Sequence, residues 1–253
     1  MSEPTVIYEI RDHVAYITLN RPAKKNAIDA AMRREVQDAF ADVRFNPEVW
    51  AAILTANGDT FCSGKDLFDK LDADGNIMGG DELYDYIRHI YKPLVVALNG
   101  PCLAQGAGFA MIADIVIMSE RASIGWPQVK RGISSNSGPT YFATAVPWNI
   151  AMGYLLRGRP VTPADALRLG VANEVVPHEK LMEVAEQYVR EICENAPLAV
   201  QGIKESARRG ENMPVTARMH IAKYVNKRVA ATEDAKEGIR AFKEKRKPVW
   251  KGM

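Results

Sequence analysis

The chain has 253 residues, of which 47% are hydrophobic and 25% charged, so its composition is that of a folded protein with a sizeable core. The 33 basic and 31 acidic residues leave a formal net charge of +2, a weaker basic excess than nucleic-acid-binding domains usually carry. No uncharged apolar run approaches the roughly 18 residues of a membrane-spanning helix, and the N-terminal residues have no apolar signal segment. We therefore expect neither nucleic acid nor a membrane as a partner.

The first two thirds of the sequence predict strands that alternate with helices, which is typical of an α/β fold. Short β-rich runs, continuous apolar runs and helical spacings of apolar residues follow one another, with Asp29 as the predicted N-cap of the first long helix. The predicted elements are strands at 6–10 and 14–19 with a turn at 11–13, a helix from 29 to about 45, a strand at 50–55, a loop at 61–69 entering a short helix, a helix at 82–91, a strand at 94–98, a helix beginning in 106–113, and a strand at 114–118.

The last third of the chain predicts several helices, and beyond Asn195 it predicts helices alone. Thr162 and Pro163 form an N-cap followed by proline at the first helical position, and Gly170 stands where that helix should end. Further helices are predicted at 197–209, 214–229 and 233–245, the last capped by Thr232, and no strand-like run follows residue 176. We predict an α/β body over residues 1–195 and a helical C-terminal region over residues 196–253.

Two segments combine a buried strand, a turn of small residues and a helix start. The first is Phe61-Cys62-Ser63-Gly64-Lys65-Asp66-Leu67, and the second runs from Ala97 through Asn99-Gly100-Pro101 to Gln105-Gly106-Ala107-Gly108. Unpaired N–H groups at such turns could together form an oxyanion hole, a device worth about 3–4 kcal/mol per donor. The alternatives are a plain strand-to-helix turn for the first segment and a Rossmann glycine loop for the second. The Rossmann pattern is incomplete, because its third glycine and the later acidic residue are missing.

A third segment, residues 124–138, is rich in hydrogen-bonding side chains but contains no acid and no histidine, and we interpret it as a loop. Cys62, Cys102 and Cys193 show no metal-ligand spacing, so we expect free thiols, no metal site and a cytoplasmic location. The histidines lack ligand-like neighbours and are interpreted as surface or packing residues; they are His13, His89, His178 and His220. No Gly-x-Ser-x-Gly motif supports a serine hydrolase.

These segments, in this order, resemble the crotonase (enoyl-CoA hydratase/isomerase) superfamily over almost the whole chain. Further matching motifs are Val14-Ala15-Tyr16-Ile17-Thr18-Leu19-Asn20-Arg21-Pro22 with Asn26-Ala27, Lys92-Pro93, Ala113-Asp114-Ile115, Gly170-Val171-Ala172-Asn173-Glu174-Val175-Val176-Pro177 and Phe242-Lys243-Glu244-Lys245-Arg246-Lys247-Pro248. The resemblance implies a spiral of ββα units with a helical C-terminal trimerisation region, assembled as a homotrimer or a dimer of trimers. The predicted interface residues are apolar side chains of the C-terminal helices: Met219, Ile221, Val225, Val229, Ile239 and Phe242.

The same resemblance implies an acyl-CoA substrate whose thioester oxygen is bound by the backbone N–H groups of Lys65 and Gln105. Coenzyme A enters as part of the substrate, and no permanently bound cofactor is expected. The family usually has glycine at the second position, so Gln105 is a departure, and Gly106 would supply the neighbouring N–H. Substrate contacts are further expected from Lys24, Ser63, Asp66, Gly106, Gly108 and Trp126. Two groups of basic residues are candidates for contacts with the phosphates of coenzyme A, or else form a solvated charged surface. They are Arg21, Lys24 and Lys25 after the first hairpin, and Lys243, Lys245, Arg246, Lys247 and Lys251 in the tail.

The acid positions of the family are neutral in this chain. Hydratases of the family use two glutamates, which fall at Gly108 and Gln128, and an aspartate found in some other members falls at Asn136. None of these residues exchanges a proton near neutral pH, although Gln128 could orient water or a substrate carbonyl. We therefore expect thioester-enolate chemistry, such as decarboxylation of a malonyl-type thioester, without the glutamate pair.

Reactions that need a base would have to use another residue. The candidates are Asp66, Asp69, Glu82, Tyr84, Tyr86 and Tyr91. The alternatives are an enoyl-CoA hydratase/isomerase of fatty-acid or aromatic-acid catabolism, or a non-catalytic acyl-CoA-binding homologue.

Overall fold

A computed structural model describes residues 3–68 and 77–253 and has a six-stranded sheet at its centre. The strands are β1 (Val6–Arg11), β2 (Val14–Leu19), β3 (Ala51–Ala56), β4 (Leu94–Leu98), β5 (Pro101–Leu103), β6 (Ile115–Ser119), β7 (Ser123–Gly125) and β8 (Glu174–Val176). The helices are α1 (Ala30–Phe45), α2 (Gly80–Arg88), α3 (Gln105–Ile112), α4 (Ala143–Ala145), α5 (Trp148–Leu155), α6 (Pro163–Arg168), α7 (Leu181–Cys193), α8 (Pro197–Arg209), α9 (Val215–Val229) and α10 (Glu233–Glu244).

The large sheet has the order β1-β2-β3-β4-β6-β8, with β1 and β2 antiparallel and the remaining neighbours parallel. β5 and β7 form a separate parallel pair, so the chain repeatedly leaves the large sheet for a second layer and returns through a helix. This arrangement is the predicted spiral of ββα units with a helical C-terminal region, and the predicted fold class is confirmed.

The continuous apolar strands are explained by burial of the large sheet on both faces. On β3, Ile53 belongs to the cluster packed against α7, whereas Leu54 belongs to the main core with α1 and α3. Alternate side chains of one strand thus enter different cores, because successive residues of a strand point to opposite faces.

Three predicted helix starts are confirmed by their capping contacts. Asp29 accepts a hydrogen bond from the Met32 N–H at 2.8 Å, and Thr162 and Thr232 cap α6 and α10 through their hydroxyl oxygens. The helix predicted at 82–91 is shifted to Gly80–Arg88, because the Gly79 N–H donates to the Glu82 carboxylate at 2.7 Å and so begins the helix earlier.

Two predictions from sequence differ from the structure. The segment 124–138 is not one loop. Ile124 and Gly125 lie in β7, because they pair with Cys102 and Leu103 of β5, and Pro127–Arg131 forms a 3₁₀ helix shortly after that strand. Val225 is buried against Gly202 of α8 rather than open to a partner, since the small glycine lets α8 and α9 approach closely. The short helix that is expected to follow the loop at 61–69 lies outside the described residues, and residues 61–68 contain no helix, as a loop requires.

Candidate active site

The two turn segments identified in the sequence lie side by side. Cys62 and Cys102 form a parallel bridge, in which the Cys62 N–H donates to the Pro101 carbonyl at 3.2 Å and the Leu103 N–H donates to the Cys62 carbonyl at 2.8 Å. Lys65 and Gln105 each stand three positions beyond this bridge, and both residues line the same cavity.

A residue with a positive φ angle precedes each of these residues. Gly64 has φ of 103° and Ala104 has φ of 54°, the latter an uncommon conformation for a residue with a side chain. A Cβ atom added to Gly64 would lie 2.7 Å from the Ala104 Cβ and 3.4 Å from the Gln105 nitrogen. Glycine is therefore required at position 64, both for its φ angle and for the close approach of the second turn.

The backbone N–H groups of Lys65 and Gln105 are left without acceptors. The Ile28 N–H donates to the Gly64 carbonyl at 2.8 Å, and the Asp66 N–H donates to the Ile28 carbonyl at 2.9 Å, so the groups on either side of Lys65 are used. Gln105 is the first residue of α3, where an N–H has no intrahelical acceptor. In residues 3–68 and 77–253, neither N–H donates a hydrogen bond.

A cavity of about 290 Å³ lies beside these turns. It is lined by Arg33, Lys65, Gly79, Gly80, Asp81, Tyr84, Gln105, Gln128, Ser134, Ser135, Asn136 and Ser137. Within the described part of the chain, four buried side-chain atoms lack a hydrogen-bond partner, and three of them belong to this wall: Arg33 Nε, Gln105 Nε2 and Gln128 Oε1. Since buried polar groups are normally paired, the cavity has the character of a polar binding site.

The Tyr84 ring occupies the space beside Gly108. A Cβ atom added to Gly108 would lie 2.3 Å from Tyr84 Cζ and 2.5 Å from its hydroxyl oxygen. The Tyr84 hydroxyl donates a hydrogen bond to the Gln105 carbonyl, and burial raises the pKa of this phenol well above its usual value. Tyr84 therefore stabilises the first turn of α3 through this hydrogen bond, and its ring leaves no room for a side chain at position 108.

Asn136 is held by a carboxylate from another element. Its Nδ2 donates to Asp81 Oδ2 at 2.5 Å, which joins the segment after the 3₁₀ helix to α2. Among the described lining residues, Asp81 supplies the carboxylate of the cavity.

Arg33 and Asp81 were not among the sequence-predicted site residues. Asp81 looks like an ordinary acid of a helix N-terminus. The burial of Arg33 could have been predicted from its spacing. It stands three residues before Val36 and seven before Phe40, so it lies on the apolar face of α1.

The other candidate bases have structural partners or lie elsewhere. Asp66 lies 3.5 Å from Arg21 Nη1 and accepts the Phe68 N–H at 3.1 Å, while Glu82 caps α2. The guanidinium carbon of Arg44 lies 5.0 Å from the centre of the Tyr86 ring. Tyr91 is not part of the cavity wall, and Asp69 lies outside the described residues.

The remaining predicted contact residues lie around the two turns. Trp126 is buried against Phe142, its indole N–H donates to the Ser137 Oγ at 3.0 Å, and it is not among the lining residues. The Ser63 N–H donates to the Lys25 carbonyl at 3.0 Å. Gly106 packs on Cys62, because a Cβ atom there would lie 2.6 Å from the Cys62 Cβ.

A second cavity of about 550 Å³ adjoins the first through Lys65, which lines both. Its other lining residues are Arg21, Lys24, Ala27, Asp29, Asp66, Leu67 and Phe68. Arg21 is engaged by Asp29 at 3.0 Å, whereas Phe68 is 97% exposed at the rim. Of the basic tail residues, Arg246 is paired with Glu237 and Glu244 at 2.6 Å each, which weakens its candidacy for a phosphate contact.

In the portion of the chain with described coordinates, no group of three or more His, Cys, Asp or Glu side chains is arranged to hold a metal ion. No helix within those same ranges is long and apolar enough to cross a membrane.

Comparison with known proteins gives consistent matches along the chain. The family described as "Enoyl-CoA hydratase/isomerase" matches residues 9–253. The (E)-benzylidenesuccinyl-CoA hydratase of Thauera aromatica is 33% identical over 98% of this chain and 99% of its own length. The carnitinyl-CoA dehydratase of Salmonella heidelberg (strain SL476) is 38% identical over 93% and 94%. The crystal structure of an enoyl-CoA hydratase/isomerase from Mycobacterium paratuberculosis has a TM-score of 0.90 and 34% identity, over 98% of this chain and 99% of that chain.

Proposed function

Because this chain belongs to the enoyl-CoA hydratase/isomerase family, we propose that it binds an acyl-CoA thioester and stabilises its enolate with the backbone N–H groups of Lys65 and Gln105. The observation that carries the proposal is the pair of unused N–H groups in two adjacent turns, each preceded by a residue with positive φ. Maintaining Ala104 in this conformation costs free energy, which fits a backbone shaped for function.

The chemical step follows from these donors. When a bond at the α-carbon breaks, its electron pair moves into the bond between the α-carbon and the carbonyl carbon, and negative charge develops on the thioester oxygen. Two preorganised donors bind that oxygen more strongly as its charge grows, which lowers the barrier rather than only tightening binding. Each such donor contributes about 3–4 kcal/mol in comparable sites.

The two cavities suggest how the thioester lies. We assign the acyl group to the 290 Å³ cavity and the coenzyme A moiety to the side of the 550 Å³ cavity, with the thioester at Lys65 between them. Lys24 on the second cavity is the candidate for a phosphate contact. Gln128 is assigned to orienting the acyl group or a water molecule, since it lines the first cavity and its buried Oε1 has no hydrogen-bond partner among the described residues.

Proton transfer is assigned to Asp81 rather than to a glutamate pair. By the resemblance to the family, Gly108 and Gln128 fall at the two positions where its hydratases carry glutamates, and neither residue can exchange a proton. Asp81 is the carboxylate of the described cavity wall, and Asn136 donates a hydrogen bond to it. Replacement Asp81→Asn should therefore lower turnover by about 10²–10⁴-fold while substrate binding is kept.

Hydration or dehydration of an acyl-CoA is the second candidate reaction, favoured by the names of the relatives, which are a hydratase and a dehydratase. It would use Asp81 as a single acid/base group. We expect hydration of crotonyl-CoA to be weak, because one general acid or base is missing and each contributes about 10²–10⁴-fold.

Infrared spectroscopy of a bound thioester labelled with ¹³C at the carbonyl tests the oxyanion hole without requiring turnover. We expect the carbonyl stretch of butyryl-CoA to shift to lower frequency on binding, to keep that shift in Lys65→Ala, and to lose most of it in Lys65→Pro, which removes the donor. An unshifted carbonyl in the wild-type complex would refute the proposal.

A panel of thioesters then identifies the reaction. Exchange of α-protons with D₂O, or loss of CO₂ from malonyl-type thioesters, supports the enolate reaction. Hydration of crotonyl-CoA at a typical enzyme rate, about 10 s⁻¹, supports the second candidate. Binding without any turnover would identify a non-catalytic homologue.

We further propose a trimer or a dimer of trimers assembled through the C-terminal helices. Exposed apolar side chains on α8, α9 and α10 support it; they are Ile203, Val215, Met219, Tyr224, Ile239 and Phe242. The three cysteines are unpaired, which fits a reducing compartment such as the cytoplasm.

A further inference from the structure

Arg33 is a buried cation without a recorded partner in the described part of the chain. It lies on α1, only 6% of its surface is exposed, and its Nε has no hydrogen-bond partner. Desolvation of a guanidinium costs several kcal/mol unless a counter-charge or hydrogen bonds offset it. Arginine is rarely buried in this way without an anion to bind.

The position of Arg33 assigns that anion to the acyl half of the substrate. Arg33 lines the 290 Å³ cavity together with Lys65 and Gln105, whose N–H groups are the proposed oxyanion donors. It is not among the residues that line the 550 Å³ cavity, where Lys24 lies. A group bound by Arg33 therefore shares a cavity with the acyl chain and is separate from the coenzyme A phosphates.

The other polar groups of the cavity complete the case for an acceptor-rich ligand. The amide Nε2 of Gln105 is a second buried donor without a partner, and Ser134 and Ser135 add hydroxyl groups. The negative charge of Asp81 disfavours a bound anion, although this carboxylate already accepts a hydrogen bond from Asn136. The two cations Arg33 and Lys65 outnumber it, so the described cavity wall has a formal charge of +1. A carboxylate, which can accept two parallel bonds from a guanidinium, is the ligand group that suits this wall best.

We propose that the substrate is an acyl-CoA whose acyl group carries a second carboxylate, and that Arg33 binds this carboxylate. The inference rests on the proposed function, because it assumes that the acyl group enters this cavity. The carboxylate is a recognition group in this proposal and not a leaving group, since an ion pair with Arg33 would stabilise it against loss as CO₂.

Calorimetric titration of the full chain with matched thioesters tests the proposal. Succinyl-, glutaryl- and adipyl-CoA are compared with butyryl-, valeryl- and hexanoyl-CoA, so that each pair differs by a terminal carboxylate in place of a methyl group. At the length that reaches Arg33, we expect the diacid to bind about 10- to 100-fold more tightly, the range of a charge-assisted hydrogen bond.

Three variants locate the source of this preference. Arg33→Met should reduce the ratio of diacid to monoacid affinity to about one. Its melting temperature should not fall, because a buried unpaired charge is removed. Arg33→Lys should keep part of the preference, since it retains the charge without the fork of donors. Arg44→Gln, on the exposed side of the same helix, should behave like the wild type.

The outcomes separate the two proposals. Equal affinity for diacids and monoacids in the wild type, or a preference that survives in Arg33→Met, overturns the role of Arg33 and leaves the acyl-CoA function intact. If Arg33→Met binds neither series, Arg33→Lys decides: a remaining diacid preference supports the proposal, and its complete loss overturns it. Failure of the wild type to bind any of the six thioesters overturns the proposed function, and this inference with it.

Discussion

Gly108→Ala should destabilise the protein although alanine is the better helix former. The new methyl group would lie 2.3 Å from Tyr84 Cζ, whereas carbon atoms in contact are about 3.5–4.0 Å apart, so the ring must move by more than ~1 Å. The ring packs edge-on against Phe109 with centroids 5.5 Å apart and against Tyr141 at 6.2 Å, which restricts that movement.

The expected change in the free energy of unfolding combines two destabilising contributions and one stabilising contribution. Overpacking of a core costs about 1–3 kcal/mol, and loss of the Tyr84 hydrogen bond to the Gln105 carbonyl costs about 1–3 kcal/mol more. Replacement of a helical glycine by alanine returns about 1 kcal/mol. The net loss is about 1–5 kcal/mol, and each kcal/mol lowers Tm by about 2–4 °C in a chain of this length.

A double-mutant cycle with Tyr84→Ala is the measurement that isolates the clash. Urea unfolding at one fixed protein concentration should show that Gly108→Ala is destabilising in the wild type but stabilising by about 1 kcal/mol when Tyr84 has been shortened. Gly153→Ala is the matched control, since Gly153 lies in α5 with open space around its Cβ position, and it should be neutral or stabilising by about 0.5–1 kcal/mol. An equal cost of Gly108→Ala in both backgrounds would refute the reasoning.

The clash also bears on the missing glutamates. From sequence alone, the pair Gly108→Glu and Gln128→Glu should create hydratase activity, yet Tyr84 fills the space that the first side chain needs. We expect a gain in crotonyl-CoA hydration only when Tyr84→Ala is added to the pair.

Three further predictions concern the backbone donors, the assembly and the thiols. Lys65→Ala and Gln105→Gly should keep most activity, whereas proline at either position should abolish it; loss of activity in both small-residue variants would contradict donation by the backbone. Sedimentation at micromolar concentration should give a trimer or hexamer, and a monomer would contradict the assembly. Burial raises the pKa of Cys62 to about 12 and that of Cys193 to about 11, against 9.0 for an unperturbed thiol. Because the folded state favours the protonated thiols, their contribution to the free energy of unfolding is complete below pH 9 and is lost as the pH rises toward 11–12. Urea unfolding at a series of pH values measures this loss, and a free energy of unfolding that does not fall between pH 9 and 12 would contradict the prediction.

Local patterns in the sequence were sufficient for strands β1, β2, β3, β4 and β6 and for the two turns, but they did not predict β5, β7 or the helices α4, α5 and α7. Asp29 and Thr232 cap helices as predicted because an N-cap depends only on residues within one helical turn. The buried strands could be predicted because a sheet covered on both faces requires continuous apolar runs, as in β3 and β4. The turns at Gly64 and Gln105 were identified from the same kind of short-range pattern, and the motif order was sufficient to predict the family.

Tertiary structure alone decided which side chains meet around those turns. Tyr84, Asp81 and Arg33 come from two helices that are distant in sequence from both turns, and no local spacing reveals that Tyr84 lies against Gly108 or that Asp81 holds Asn136. Contacts of this kind depend on how the layers of the fold pack. The β5–β7 pair joins two segments that are separate in the sequence pattern, and residues 128–137, which follow β7, line the cavity together with residues of α2 and α3. The charge of Arg33 was visible in the sequence; its burial without a partner was not, because burial is a property of the packed molecule.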